Sequence, residues 1–325
     1  MTPTEHLDQL LARPEPLLAL APMQDVTDLE FWRLVSRYGG ADVYYTEYFR
    51  VHPDSHLEKP ILASVTENPT GRPVIAQMIG NDIPSLVRNA KELQQHAVAG
   101  IDLNLGCPAP IVYKKCAGGG LLRDVPRIDG ILGALREAVE VKFTVKTRLG
   151  FDDTATIDAL LPLIVKHGVD LLTIHGRTVT QMYREGVRYD LIGAAAANLP
   201  CPVLANGNIG SHLDAEAVTR QTGVRGHMLG RGAIRNPWLF DQIRQHFRGE
   251  PVFQPSAAQR LAYVEELYET VTMPNTRELD QVNRIKKHLN FFGPELTRPD
   301  EFLHEMRRCT TRQGILDACA RHFTD

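Results

Sequence analysis

The sequence predicts an α/β protein of the TIM (β/α)8-barrel class, followed by a small C-terminal helical domain. Three observations support this class. Short apolar segments rich in β-branched residues recur along the chain, and segments with helical periodicity separate them. Each apolar segment also ends in polar residues, which a barrel gathers on one face. An open doubly wound sheet also alternates strands and helices, but it would spread these polar ends along an edge.

The predicted elements run in a regular order. Eight strands are predicted, at residues 17–23, 42–48, 73–80, 100–107, 143–149, 171–177, 202–208 and 226–232. Segments such as 83–100 and 213–223 carry the helical spacing between them. After residue 240 the strand pattern stops, and three segments with helical spacing follow. We therefore predict a barrel domain over residues 1–250 and a helical domain over residues 254–325, joined by a short linker.

Polar residues mark the C-terminal end of every predicted strand. The first strand ends in the stretch Pro22, Met23, Gln24, of which Gln24 is polar. The other strand ends carry Glu47, Gln77, Asn104, Cys107, Lys146, Arg148, His175, Arg177, Asn206, Asn208 and Arg231. A single strand-end amide usually satisfies only a loop backbone. A set that recurs at every strand end predicts a functional site, because these ends converge on the top face of a TIM barrel.

Composition narrows the classes of function. The net charge of −3 predicts no general attraction to nucleic acid, so any RNA contact must be a local patch. The five cysteines include no C-x-x-C pair, which argues against a disulfide framework and a structural zinc site and favours a reducing, cytoplasmic location. The apolar run LLALAP (17–22) is typical of a strand rather than a signal peptide, and no apolar run is long enough to cross a membrane.

Glycine-rich turns follow the seventh and eighth predicted strands, in LANGNIGS (204–211) and MLGRGAIRNP (228–237). In this fold the loops after these two strands commonly bind phosphate. The backbone N–H groups of Gly207, Gly210, Gly230 and Gly232 can face an anion, and Arg231 can add charge. Glycines that only permit tight turns are the alternative. No G-x-G-x-x-G follows a strand, so the phosphate is expected on a group held in the barrel mouth, where flavin mononucleotide (FMN) fits.

A lysine lies within the fifth predicted strand, FTVKTRL (143–149). A buried lysine without a partner is costly, which favours a functional role for Lys146. A cation at that position would stabilise the negative charge that a reduced flavin carries. His175 and Gln77 could hydrogen-bond the same ring edge. An isolated histidine is nevertheless more often a satisfied core residue.

An ordered set of motifs carries a resemblance to a known family. The motifs are LAPMQDVTD, YTEY, IAQMIG, LNLGCPAP, GGGLLRD, VKTRLG, IHGRT, LANGNI and LGRGAIRNPWLF. Together with the helical tail, they resemble the tRNA-dihydrouridine synthases. The resemblance implies an FMN-loaded barrel that reduces the 5,6-double bond of a D-loop uridine in tRNA, with NADPH as the reductant. It also implies flavin contacts from the Pro22–Gln24 and Asn206–Asn208 positions, although Gln24 departs from the residues common in the family.

The same resemblance gives the cysteine of the GCP motif a role. Cys107 corresponds to the residue that delivers a proton to C5 of uracil. A thiol has a reference pKa of about 8.5, so it is mostly protonated near neutrality and suits a general acid. Gly106 and Pro108 constrain its backbone, in keeping with a group whose position matters.

Substrate contacts are predicted at two levels. For the base, the resemblance points to Asn104, Arg148 and Tyr183; an amide can accept from uracil N3–H, and a guanidinium can hold a carbonyl. For the tRNA backbone, helical spacing places Arg284, Lys287 and His288 on one face. The sequence also offers Lys114 with Lys115 near the site, and Arg307 with Arg308 in the tail. A basic helix face that only meets solvent is the alternative.

Three other functions remain open from the sequence. The first is an FMN-dependent barrel oxidoreductase that acts on a free pyrimidine, without need of the basic helix. The second is a cysteine hydrolase that uses Cys107 with His175. The third is a non-catalytic RNA-binding module, which would hold no flavin. No metal and no obligate protein partner are predicted.

Overall fold

The computed structural model describes residues 1–184, 186–293 and 296–324. It contains one parallel sheet, whose strands are β1 (Leu17–Leu20), β2 (Val43–Tyr45), β3 (Phe49–Arg50), β4 (Val74–Ile79), β5 (Gly100–Leu105), β6 (Lys142–Arg148), β7 (Leu171–His175), β8 (Val203–Asn206) and β9 (Gly226–Leu229). Strand β1 pairs with both β2 and β9, and β2 pairs with β4, so the sheet closes. The short β3 adds to the upper end of β4. The predicted TIM barrel is confirmed.

Several predicted strands overrun the structural ones at their C-terminal ends. The first strand, for example, is predicted to reach residue 23 but ends at Leu20. Residues beyond these ends leave the hydrogen-bonded ladder and line the mouth of the barrel. The apolar pattern continues into the mouth, which explains the longer prediction.

Helices surround the barrel and connect its strands. They are α1 (Pro3–Ala12), α2 (Leu29–Ser36), α3 (Lys59–Thr66), α4 (Ile83–Leu93), α5 (Pro110–Tyr113), a 3-10 helix (Gly118–Arg123), α6 (Val125–Ala138), α7 (Ala155–Lys166), α8 (Tyr189–Asn198), α9 (His212–Thr222), α10 (Arg231–Arg235) and α11 (Leu239–Phe247). Side-chain caps begin several of them: Asp82 accepts from Ser85 N, and Ser211 forms a capping box with Asp214.

The lower end of the barrel is closed by apolar packing. Leu7 and Leu10 of α1 pack in one cluster with inward residues of the strands, including Leu17 and Met228. Arg225 anchors this helix by donating to backbone carbonyls at its C-terminal end, at 2.6–2.9 Å. The interior is therefore sealed from below, and a ligand has to enter from the C-terminal ends of the strands.

The C-terminal region is helical, as predicted: α12 (Ala257–Val271), α13 (Glu278–Leu289), α14 (Pro299–Arg308) and α15 (Arg312–His322). Its buried residues belong to the same hydrophobic cluster as the outer face of the barrel. The Tyr263 hydroxyl donates to the Ile234 carbonyl at 2.6 Å, which joins α12 to α10. A division into two domains stays a prediction. No helix within the described ranges is long and apolar enough to cross a membrane.

Candidate active site

A cavity of about 770 Å³ opens at the C-terminal ends of the strands. Loops after six of the strands contribute to its wall, as the convergence of strand ends in a barrel requires. The predicted site residues that line it are Pro22, Met23, Gln24, Asn104, Cys107, Lys146, Arg148, His175, Tyr183, Asn206, Gly207, Asn208, Gly230 and Arg231. The sequence thus identified half of the residues that line the cavity.

The turns after β8 and β9 meet in a closely packed cradle. Gly207 and Asn208 both have positive φ, at 122° and 51°. A Cβ on Gly232 would lie 2.5 Å from the Ile209 carbonyl oxygen, so the two turns touch through their backbones. Arg231 donates to the Asn208 side chain at 3.1 Å, and Arg235 also lines the cavity. Backbone without side chains beside two guanidinium groups is suited to a phosphate.

Lys146 reaches the cavity from β6. Its Nζ donates to Asn206 Oδ1 at 3.2 Å, and Asn206 Nδ2 donates in turn to the Met228 carbonyl at 2.7 Å, which fixes that amide. Burial, together with the nearby charge of Arg148, lowers the pKa of Lys146 to about 8, while Asp102 and Cys107 oppose the shift. The side chain therefore presents a positive charge to the cavity near neutral pH.

His175 lies at the end of β7 on the same wall. Burial is the main reason that its pKa falls well below the usual value, and Arg148, Lys146 and Arg177 add to the effect. Its Nε2 lies 3.2 Å from Arg177 Nη1. Because a guanidinium only donates, Nε2 accepts and the proton of the neutral ring is on Nδ1. His175 is thus a neutral N–H donor rather than a base paired with Cys107.

Cys107 occupies a tightly held turn after β5. Asn104 Oδ1 accepts from the backbone N–H groups of Gly106 and Cys107, both at 2.9 Å. A Cβ on Gly118 would lie 3.0 Å from the Cys107 Cβ, so this position favours glycine. Gly118 also has a positive φ of 53°. These contacts place the thiol at one location on the cavity wall.

The thiol of Cys107 is held in its neutral form. Burial raises its pKa, outweighing a hydrogen bond with the Ala109 backbone, one with Tyr48, and the charges of Arg148 and Lys146. Tyr48 also lines the cavity, and burial together with Cys107 raises the pKa of its hydroxyl to about 12. A protonated thiol beside a protonated phenol can donate a proton to a bound molecule. This arrangement does not favour a thiolate nucleophile.

Gln77 was expected to contact a cofactor, and the structure places it elsewhere. Its side chain is fully buried below the cavity, where Nε2 donates to Asp102 and Oε1 accepts from Asn104. Alternation along β4 turns the Gln77 side chain into the barrel, but at a level below the cavity floor. The placement does not support direct contact with a cofactor. Asn104 keeps its place on the wall, although the turn uses its amide oxygen.

Arg148 and Tyr183 form the part of the rim next to the cradle. Arg148 donates to the carbonyls of Gly106, Thr178 and Met182 at 2.6–3.0 Å, so it joins the cysteine turn to the loop after β7. The Tyr183 ring is 49% exposed. The guanidinium carbons of Arg148 and Arg231 lie 5.3 and 4.9 Å from its centroid. Both cations therefore contact the ring, and its exposed part lies at the mouth of the cavity.

Gln24 and Glu47 form the rim after β1 and β2. Glu47 lies 3.4 Å from Gln24 Nε2 and accepts from Val26 N at 3.3 Å. Burial, with the charges of Asp28 and Asp25, raises the pKa of Glu47 to about 7. The other end of the Gln24 amide, Oε1, is buried and accepts no hydrogen bond among the described residues. An acceptor without a partner in the wall fits a ligand that brings a donor.

The basic face of α13 lies beside the loop after β1, where its two cations approach carboxylates but keep 36% (Arg284) and 54% (Lys287) of their side chains exposed. Arg284 bridges Asp28 at 3.2 Å, and Lys287 lies 3.8 Å from Asp25. His288 is buried and contacts the Val26 carbonyl. The three residues share a face, as predicted, but that face meets the loop after β1. Lys114 and Lys115, at the end of α5, are exposed as expected.

Sequence reasoning missed several residues of this site. Tyr48 lies in the motif YTEY, whose strand-end position pointed to Glu47 and not to the tyrosine beside it. Asn290 and Phe291 follow α13 and line the cavity. No local pattern marks them, because only the docking of the C-terminal helices brings them to the barrel mouth.

The fold and the site define a class: TIM-barrel proteins whose cavity has a cradle suited to a phosphate and a protonated thiol on its wall. A sequence profile described as "Dihydrouridine synthase (Dus)" matches residues 19–325. The chain belongs to the dihydrouridine synthase family. This membership implies a flavin cofactor, and the cradle, Lys146 and the unpaired Gln24 oxygen are suited to one.

Individual proteins agree with this assignment. The chain is 34% identical over 314 residues to the "Probable tRNA-dihydrouridine synthase" of Rickettsia conorii, covering 94% of this chain and 93% of that one. It is 30% identical to the "tRNA-dihydrouridine(16) synthase" of Neisseria meningitidis serogroup A, covering 84% of each. A solved 2-naphthoyl-CoA reductase complex matches with a TM-score of 0.56 at 14% identity. That match covers 72% of this chain and 50% of the reductase, and it shows the shared fold alone.

Proposed function

We propose that this protein is a tRNA-dihydrouridine synthase that binds FMN, takes reducing equivalents from NADPH and reduces the 5,6-double bond of a D-loop uridine in tRNA. The observation that carries the proposal is the neutral thiol of Cys107, fixed on the wall of a cavity that also contains a phosphate-type cradle. The family membership supports the reaction, and the names of the relatives support the tRNA substrate. A cytoplasmic location is consistent with both.

The residues suited to FMN divide by chemistry. Gly207, Gly230 and Arg231, with the neighbouring turn residues, suit the phosphate. Lys146 and His175 offer an ammonium group and an imidazole N–H to the polar edge of the ring, and Gln24 Oε1 offers an acceptor. The bound flavin would supply the hydride for C6 of the uracil ring.

The remaining steps belong to the residues of this chain. Cys107 donates the proton to C5, because its raised pKa keeps the proton on sulfur until the ring becomes basic. Arg148 stands beside Cys107 as a cation and can stabilise the negative charge that develops on a uracil carbonyl. Tyr183 can stack on the base at the rim, and Asn104 can donate its remaining amide hydrogen. The base has to leave its stack to enter the cavity.

The tRNA backbone is proposed to lie across the rim formed by Lys114 and Lys115, with α13 on the other side. Arg284 and Lys287 remain candidates for this contact. Their proximity to Asp28 and Asp25 reduces the net charge they offer to phosphate. The larger electrostatic contribution to tRNA binding is therefore assigned to Lys114 and Lys115, the two exposed lysines that follow α5.

Two measurements test the proposal. Mass spectrometry of the cofactor released from purified protein should identify FMN; FAD, or no flavin after reconstitution, contradicts the assignment and favours a non-catalytic RNA-binding module. Single-turnover assays of the reduced protein should then compare unmodified tRNA with free uridine, uracil and dihydroorotate. Faster turnover of a free pyrimidine than of tRNA supports the small-molecule oxidoreductase instead. A colourless protein with rapid thiol alkylation at neutral pH would indicate a hydrolase.

A further inference from the structure

Asp102 is a fully buried carboxylate inside the barrel, below the cavity floor on β5. Thr144 Oγ1 donates to one of its oxygens at 2.5 Å, and Gln77 Nε2 donates to the other at 2.7 Å. Burial raises the pKa of Asp102 to about 6, while these two hydrogen bonds and Lys146 oppose the rise. Both of its oxygens accept hydrogen bonds, and the charge of Lys146 favours the ionised form. The proposed reaction gives it no direct part.

An acceptor at this position fixes the orientation of Gln77. The NH2 group of Gln77 must face the carboxylate, so its oxygen must face the opposite way. There it accepts from Asn104 Nδ2 at 2.8 Å. The backbone of Gln77 is also held, because its N–H donates to Thr46 Oγ1 at 3.0 Å. The amide of Gln77 has only one orientation that satisfies both neighbours.

The same constraint on amide orientation applies to Asn104, which contacts the cysteine turn. Asn104 donates downward to Gln77, so its oxygen faces upward. That oxygen accepts from the backbone N–H groups of Gly106 and Cys107 at 2.9 Å each. A reversed Asn104 would place its NH2 group against two further donors and would leave both without an acceptor, which is unfavourable for buried groups. Donor and acceptor directions thus agree from Asp102 to Cys107.

We infer that Asp102 is a positioning residue for Cys107. Through Gln77 and Asn104 it determines which end of an amide faces the cysteine turn, and so where the thiol stands on the cavity wall. The catalytic consequence of this inference rests on the proposed function of Cys107 as the acid. The structural consequence, that the conformation of the cysteine turn depends on a buried carboxylate, does not rest on that proposed function.

Asp102 could instead act through its negative charge on Lys146. Two substitutions of Asp102 distinguish this charge effect from the positioning of Cys107. Asp102→Asn and Asp102→Leu have similar size, and both remove the negative charge. Only the amide keeps an acceptor for Gln77, while its NH2 group can donate to the Thr144 hydroxyl. The orienting chain should therefore survive in the first variant and fail in the second. Effects that arise from charge alone should be equal in both.

The first readout is the alkylation rate of Cys107 by iodoacetamide in the full-length, flavin-loaded protein, measured by peptide mass spectrometry. Trypsin can cleave after Lys114 and Lys115, so the Cys107 and Cys116 peptides separate and the exposed Cys116 serves as an internal control. We expect Asp102→Asn to match wild type. Asp102→Leu should react several-fold faster at Cys107, because a loosened turn exposes the thiol.

The second readout is the split between the two half-reactions. Asp102→Leu should slow single-turnover uridine reduction by about 10- to 100-fold, the range expected when a reacting group is misplaced by about 1 Å. Reduction of the flavin by NADPH should change equally in Asp102→Asn and Asp102→Leu. Gln77→Met breaks the hydrogen bonds between Asp102 and Asn104 without altering charge, so it should show the same faster alkylation and slower uridine reduction that we expect of Asp102→Leu. It replaces Asp102→Leu if Asp102→Leu does not fold.

The outcomes distinguish a positioning role of Asp102 from an effect of its charge. Equal behaviour of Asp102→Asn and Asp102→Leu in both readouts overturns the inference in favour of a charge effect. Wild-type alkylation in Gln77→Met shows that the turn holds itself. If Cys107→Ala still reduces uridine at the wild-type rate, the acid role fails, yet the alkylation rates continue to report whether Asp102 positions the turn. The two failures are thus distinguishable.

Discussion

On one wall of the cavity, residues 104–107, side-chain amides hold the backbone in place; on another, residues 207–210 and 230–232, backbone packs directly on backbone. We refer to these as the cysteine wall and the glycine wall. Asn104 holds the first through two hydrogen bonds at 2.9 Å. In the second, an added Cβ at Gly232 would lie 2.5 Å from a carbonyl oxygen. Damage to the cysteine wall should thus affect chemistry, and damage to the glycine wall should affect cofactor binding.

The largest effect is expected from Cys107→Ala. Loss of the proton donor should slow uridine reduction by about 10²-fold or more, the usual range for a general acid. Reduction of the flavin by NADPH should stay near the wild-type rate, because the glycine wall is untouched. Stopped-flow absorbance measures both half-reactions. Cys116→Ala, which changes an exposed cysteine nearby, is the matched control. Equal slowing of both half-reactions would indicate a structural cysteine.

Gly232→Ala should produce the opposite pattern. The new methyl group has to displace the backbone of Ile209, and such overpacking costs ~1–3 kcal/mol. If the whole cost falls on the cofactor site, flavin binding weakens by about 5- to 150-fold. Gly130→Ala on α6 is the control, because its Cβ would make an ordinary contact at 3.6 Å. Fluorescence titration with FMN, alongside the melting temperature, tests the pair. Unchanged flavin affinity in Gly232→Ala would remove the glycine wall from the cofactor site.

Lys146 lies between the two walls, and its protonation should appear in cofactor binding. Because its pKa is lowered to about 8, the cation is present below that pH and is lost above it. FMN binding to cofactor-free protein should weaken by about tenfold between pH 7 and pH 9, equivalent to ~1.5 kcal/mol for a charged hydrogen bond. Lys146→Met should be weak at both pH values, whereas Lys142→Met, outside the cavity, should retain the pH dependence. A pH-independent wild type would contradict this assignment.

The smallest effects concern the outer rim. Lys114→Gln with Lys115→Gln should weaken binding of unmodified tRNA and reduce the slope of log affinity against log salt by about 0.7–0.9 for each lost phosphate contact. Arg284→Gln with Lys287→Gln should change the slope less, because both cations already lie near carboxylates. Filter binding at several salt concentrations compares the two pairs. A larger change in the α13 pair would show that these cations exchange Asp28 and Asp25 for RNA phosphates.

The sequence predicted the residues of the glycine wall better than those of the cysteine wall. The glycine wall was predictable, because the turns after the seventh and eighth strands of a barrel have a known position. The glycines that allow close backbone contacts can also be read directly from the sequence. The cysteine wall was only half predictable. Cys107 and Asn104 stood out at a strand end, whereas Asp102, two residues earlier, looked like an ordinary strand residue.

The sequence by itself determined the order of the barrel strands and the turn that carries Cys107. These features follow from local periodicity and from chemistry at strand ends. The tertiary structure alone decided how deep an inward residue lies: Gln77 is sealed below the cavity, while Lys146 reaches it. It also decided what the basic face of α13 meets. A period of two or 3.6 residues specifies which side chains share a face, but depth and partners depend on barrel stagger and helix docking, which join residues far apart in the chain.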